Sequence, residues 1–150
     1  MNTVFSPRSA GRGFTAIELL ITVAIASVLA AIAYPSFRGS IDKGRRADAI
    51  GALMLAQLAQ ERWRANQTAY GNLGDIGVAP ISSAGHYQLQ VTSSSATGYE
   101  LLASATGVQQ RDADCRHLRL AMVGADVLYA SGPDASVANP SDLKRRCWSL

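Results

Sequence analysis

The chain has 150 residues, 48% hydrophobic and 17% charged, a length that suits one domain of ordinary size. With 7% aromatics, 13 glycines and 5 prolines it is neither collagen-like nor low-complexity. Its net charge of +3, from 14 basic and 11 acidic side chains, is too weak to name a nucleic-acid partner. The first element is apolar. From Phe14 to Tyr34 run 21 residues whose only charge is Glu18. As a helix this run spans about 31 Å, close to the hydrocarbon thickness of a bilayer.

A cleaved secretory signal competes with a membrane-spanning helix. Arg8 and Arg12 would form its charged region, Leu19 to Leu29 its apolar region, and Ala31-Ile32-Ala33 its cleavage site. Glu18 at the start of the run and the length of the run weigh against this. Basic residues on both flanks, Arg8 and Arg12 before and Arg38, Lys43, Arg45 and Arg46 after, blunt the positive-inside rule. Two cysteines, Cys115 and Cys147, suit an oxidising compartment for the C-terminal part.

The sharpest local signal is Gly11-Arg12-Gly13-Phe14-Thr15-Ala16-Ile17-Glu18-Leu19-Leu20. It resembles the leader boundary of type IV prepilins, with Ala16 in place of the commoner Leu. The resemblance implies that a prepilin peptidase cuts between Gly13 and Phe14 and methylates the new Phe14 amine. It also implies an assembly role for Glu18, whose carboxylate is costly in hydrocarbon and would meet the Phe14 amine of a neighbouring subunit. A second reading stands beside it: Thr15-x-x-Glu18 matches a capping box at a helix start, and both can hold. Pro35 follows Tyr34, as in pilins, and is expected to kink the helix without ending it, because helical periodicity resumes.

Ala47, Ile50, Met54 and Leu58 recur at spacings of three and four, widened by Leu53 on one side and by Leu55 and Ala59 on the other. This predicts an amphipathic helix, weakened by Gly39, Gly44 and Gly51, that ends near Asn66-Gln67-Thr68 and packs on a sheet. Residues 70–83, with Gly71, Gly74, Gly77 and Pro80, read as a structured loop. Four alternating sets follow: Tyr87, Leu89, Val91; Tyr99, Leu101, Ala103; Leu118, Leu120, Met122; and Val127 to Tyr129 after the Gly124-Ala125-Asp126 turn. They predict an antiparallel four-stranded sheet. Residues 131–142 read as a loop. The fold class is therefore α+β, and the resemblance implies a type IV pilin-like arrangement: leader 1–13, membrane and assembly helix 14–34, amphipathic helix 35–68, and globular part 69–150.

About 80 residues beyond the helix form a soluble part small enough to need a staple. Cys115 and Cys147 either form a disulfide worth about 3–4 kcal/mol or remain buried thiols, and the pilin comparison favours the bond. The strings Arg45-Arg46-Ala47-Asp48-Ala49, Leu55-Ala56-Gln57, Glu61-Arg62-Trp63, Thr68-Ala69-Tyr70, Tyr99-Glu100-Leu101, Gln109 to Cys115 as a loop, and Cys147-Trp148 resemble PilE-type minor pilins more than a generic pilin.

Catalytic motifs are missing: there is no Gly-x-Ser-x-Gly, P-loop or Rossmann fingerprint. His86 and His117 with Cys115, Asp112 and Asp114 lack zinc or calcium spacing, so neither a metal nor a cofactor is expected. A basic cluster of Arg116, Arg119, Lys144, Arg145 and Arg146 beside Trp148 is a candidate DNA-binding patch, with an ordinary solvated charge run as the favoured reading. The expected function is a non-enzymatic minor pilin: a single-pass inner-membrane protein with a periplasmic head. It is processed by prepilin peptidase and assembled with other pilin subunits by the inner-membrane machinery into an extracellular pilus for twitching motility and adhesion. The alternatives are a pseudopilin of a type II secretion system and a DNA-binding competence pilin.

Overall fold

The computed structural model describes residues 14–134 and 141–148. Gly13 and the rest of the expected leader lie outside the described residues, as do the side chains of Pro35 and Lys144. The chain divides into two units, Met1–Arg38 and Gly39–Leu150. Helix α1 (Ala16–Arg64) carries 49 residues and is assigned without a break at Pro35. In the first unit its apolar side chains are exposed: Leu20, Val28 and Ile32 are all more than half accessible. Thr22 and Ser27 return their hydroxyls to the Leu19 and Val23 carbonyls at 2.8 and 2.7 Å, leaving no polar group of theirs unspent.

The second unit packs residues 39–64 of α1 on a four-stranded antiparallel meander: β1 (Tyr87–Ser94), β2 (Gly98–Ala105), β3 (His117–Val123) and β4 (Asp126–Gly132), in that spatial order. All four expected strands are present, and the alternation that predicted them is the burial pattern: Tyr87, Leu89, Tyr99, Leu101, Ala103, Leu118 and Leu120 face the core. The register pairs Leu101 with Val91 on one side and Leu120 on the other. A bulge skips Thr92. The β3–β4 turn needs Gly124, at φ +63.

The helix face differs from expectation. The inward row is Ala49, Leu53, Ala56 and Gln60, all fully buried. Met54, Leu55 and Leu58 point outward, Leu55 with 66% of its surface accessible. The expected row, drawn through the large side chains, is one position off, about 100° around the helix. Alanines 49 and 56 let the helix approach the sheet, so small residues rather than large ones mark the contact. Gln60 is buried because its amide is fully used: it donates to Gly71 O at 2.7 Å and accepts from Gly71 N at 3.0 Å.

Three further differences concern the C-terminal half. Residues 109–115, read as loop, run through two 3-10 turns, Gly107–Arg111 and Ala113–Cys115, with Asp112 between them. Ser131 and Gly132, also read as loop, complete β4. A second helix, α2 (Ser141–Trp148), was not expected. Its sequence is short and charged, and an isolated helix of that length is marginal. It is held by tertiary contacts that no local pattern announces: Cys147 and Trp148 enter the core, where Trp148 stacks edge-on against Tyr129 at 4.8 Å.

Candidate functional site

At the N-terminal end, Phe14 is exposed and α1 begins two residues later. Thr15 and Glu18 form the reciprocal bonds of a capping box. Thr15 N donates to Glu18 Oε2 at 2.8 Å, the Thr15 hydroxyl donates to the same oxygen at 2.8 Å, and Glu18 N donates to Thr15 Oγ1 at 3.3 Å. Both bonds to the carboxylate fall on Oε2, and Oε1 accepts none among the described residues. Gly13, the other half of the expected cleavage site, lies outside the described residues.

At the other end, Cys115 and Cys147 are disulfide-bonded with their Cα atoms 5.4 Å apart, closing a loop of sequence separation 32. The pairing expected from the pilin comparison is therefore present. The bridge joins the second 3-10 turn to α2. Arg146 crosses the same seam to Asp114 at 3.1 Å, on the surface.

The basic cluster read from the sequence is not one patch of available groups. Trp148 is 3% exposed, and its indole N–H donates to Ala130 O at 3.0 Å. It is a core residue and offers no ring to a base, so the candidate patch lacks its aromatic member. Arg119 is mostly covered and pairs with Glu100 at 3.1 Å. Arg116 gives its Nε–H to Gln110 O at 3.1 Å. Arg145 is exposed and makes no ion pair among the described residues. The Lys144 side chain lies outside the described residues.

The residues that lock the head were not singled out for that role from the sequence. Arg46, 13% exposed, forks onto Asp112, Nε to Oδ2 at 2.6 Å and Nη2 to Oδ1 at 2.9 Å, and reaches Arg146 O at 3.3 Å. Gln109 lies beneath this pair and donates to Asp112 and to the Tyr87 hydroxyl. Burial pushes the Tyr87 phenol up to about 12, so it stays neutral there. Two residues along the helix, Asp48 accepts from the Ser82 and Ser83 hydroxyls and from the N–H groups of Ala84 and His86, at 2.6 to 3.3 Å. Burial works against this charge, but the four donors outweigh it and hold the carboxyl below its ordinary range. The sequence signals were the strings Arg45-Arg46-Ala47-Asp48-Ala49 and Gln109 to Cys115, noticed for their resemblance and not for their contacts. Among the described residues no group of three or more His, Cys, Asp and Glu could hold a metal ion.

Residues 35–119 match the family described as type IV minor pilin ComP, DNA uptake sequence receptor. Residues 8–34 match the prokaryotic N-terminal methylation motif. The type IV major pilin protein PilA of Myxococcus xanthus (strain DK1622) is 39% identical over 77 residues, 51% of this chain and 34% of that protein. Fimbrial protein Q of Moraxella bovis is 41% identical over 51 residues, 34% of this chain and 32% of that protein. The chain spans about a third of the length of these curated relatives.

Proposed function

We propose, from the premise that this chain belongs to the family of type IV minor pilins, that it is a structural subunit inserted once in the inner membrane with its head in the periplasm. A prepilin peptidase removes residues 1–13 and methylates Phe14. The assembly machinery then draws the mature subunit into a pilus used for twitching motility and adhesion. In this reading residues 14–34 serve membrane and filament in turn, Pro35 bends the helix, and residues 69–150 face the outside. No catalytic step is assigned to it.

The observation that carries the reading is the exposed apolar stretch of α1 within the residues that match the methylation motif. Such a stretch must be covered by lipid or by other subunits. Glu18 Oε1 then takes the amine of a neighbour's Phe14 while Oε2 keeps the helix cap. Intact mass and N-terminal sequencing test it: the mature protein should begin at methylated Phe14, and a start at Tyr34 would establish an ordinary secretory signal instead. Deletion should remove surface pili or twitching. Loss of protein secretion with pili intact would point to a pseudopilin.

A second reading, a DNA receptor of natural competence, is supported by the description of the matching family. Here it would rest on Arg116, Arg145 and Arg146 at the surface, with Lys144, and without Trp148. Its signature is DNA binding that weakens steeply with salt and DNA uptake that is lost when Arg145 and Arg146 are replaced by alanine.

A further inference from the structure

At the C-terminal end of α1 the head opens a cavity of about 390 Å³, walled by Arg62, Trp63, Asn66, Gln67, Asp75 and Ile76. Two of its walls, Trp63 and Asp75, close on buried Gly71. Gln60 clamps both backbone groups of Gly71. A Cβ on Gly71 would lie 2.8 Å from Asp75 Cβ and 3.1 Å from Trp63 Nε1, so the bare glycine lets the aspartate and the indole edge close on it. Asp75 is set by a reciprocal turn: Oδ2 accepts from Asn72 N at 2.8 Å, and its own N–H donates to Asn72 Oδ1 at 3.1 Å. The Trp63 indole N–H, the side-chain amides of Asn66 and Gln67, the Arg62 guanidinium and Asp75 Oδ1 make no hydrogen bond among the described residues. Elsewhere on the head Arg46, Asp48, Gln60 and Asp112 bond within the chain, while Gln109 leaves its Oε1 without a partner.

The chemistry of this wall selects a ligand class. One cation and one carboxylate leave it neutral, unlike a groove that tracks a phosphate backbone. Two amides and a carboxylate supply both donors and acceptors, which suits hydroxyls that are both at once. An indole supplies an apolar body with a polar tip, a match for a ring with one C–H face and a rim of hydroxyls. The volume falls in the range of small-molecule sites, about 300–1,000 Å³. We propose that the cavity behind Trp63, Asn66, Gln67 and Asp75 is a binding site for a neutral mono- or disaccharide. The site lies within the head and does not depend on the pilin reading.

The test is a titration of the full chain in detergent micelles, followed by ¹H–¹⁵N correlation spectra. Glucose, galactose, mannose, N-acetylglucosamine and N-acetylgalactosamine are added in turn. At least one should shift the Trp63 indole and the Asn66 and Gln67 side-chain amides with a common dissociation constant of about 1 mM. The Trp148 indole, bonded to Ala130 O, should stay still as an internal reference. Asn66→Ala and Gln67→Ala, both at exposed positions, should keep the fold and weaken binding about tenfold each, and Trp63→Ala should abolish it. No shift with any of the five sugars, a shift shared with Trp148, or a shift produced only by a thymidine oligonucleotide would each overturn the assignment. Pili assembled normally by the Gln67→Ala subunit would show that the site and the assembly role are separate.

Discussion

Asp48 gathers four donors from the segment that leads into β1, and this makes its charge a fold-state property. Its carboxyl is held low in the folded head and sits near 3.8 when unfolded. The stabilisation is therefore complete above that unfolded value and disappears as pH falls through the lower, folded one. Asp48→Asn should cost about 1.5–3 kcal/mol at neutral pH. In thermal melts the gap to wild type should narrow below about pH 4; a gap that stays constant with acidification would assign the loss to packing. Glu18 poses a different question, because one carboxylate serves a cap and a proposed partner. Glu18→Ala removes an intramembrane charge, so insertion and cleavage should persist or improve while incorporation into filaments falls. Glu18→Gln retains the capping shape. If the glutamine variant enters pili like wild type, counted by immunogold labelling of sheared filaments, the charge pair is not needed.

The strands were legible because a two-residue period is also a statement about faces, and each alternating set met a single core. What sequence could not supply was spacing between elements. Gly98 is an example: a Cβ there would stand 2.2 Å from Met122 O, so the start of β2 lies against the end of β3 only because that atom is missing. Gly98→Ala should cost about 1–3 kcal/mol and increase amide exchange at residues 120–123 before it affects β1. The helix face was misread for the same reason. Its contact is made by Ala49 and Ala56, which carry little hydrophobicity of their own but set how near Leu53 comes to the sheet. Helix α2 was illegible because it is not a local preference: Ser141 to Trp148 is held by a disulfide, a buried indole and a carbonyl gripped from Arg46.

In the molecule as a whole, the legible part of the functional region is the part written contiguously, from Gly11 to Leu20. The basic cluster was inferred from nearness in sequence and from the disulfide, and the fold spends its members separately: Trp148 on the core, Arg119 on Glu100, Arg146 on Asp114. Among the described residues the core runs from Ala49 to Trp148. Residues 39–150 alone should accordingly melt cooperatively when oxidised. Reduction should lower stability by about 3–4 kcal/mol and release α2, seen as loss of the near-ultraviolet signal of Trp148. A melt unchanged by reductant would mean that the packing of Trp148 suffices to seat α2.

Arg46 and Asp48 grip different connectors from neighbouring positions on one helical turn, and this has a mechanical consequence. A subunit that is pulled by its helix receives tension at this turn before any strand does. The fork onto Asp112 and the four bonds onto Asp48 are then sheared together, whereas the sheet ladders, tied to the helix mainly by apolar packing, are loaded later. The head would behave as a load-bearing joint whose yield point lies in two polar clasps. Pulled from residue 39 against the C-terminal end of β4, the Arg46→Ala, Asp48→Ala double variant should rupture at clearly lower force than either single variant, with the extension released by the sheet unchanged.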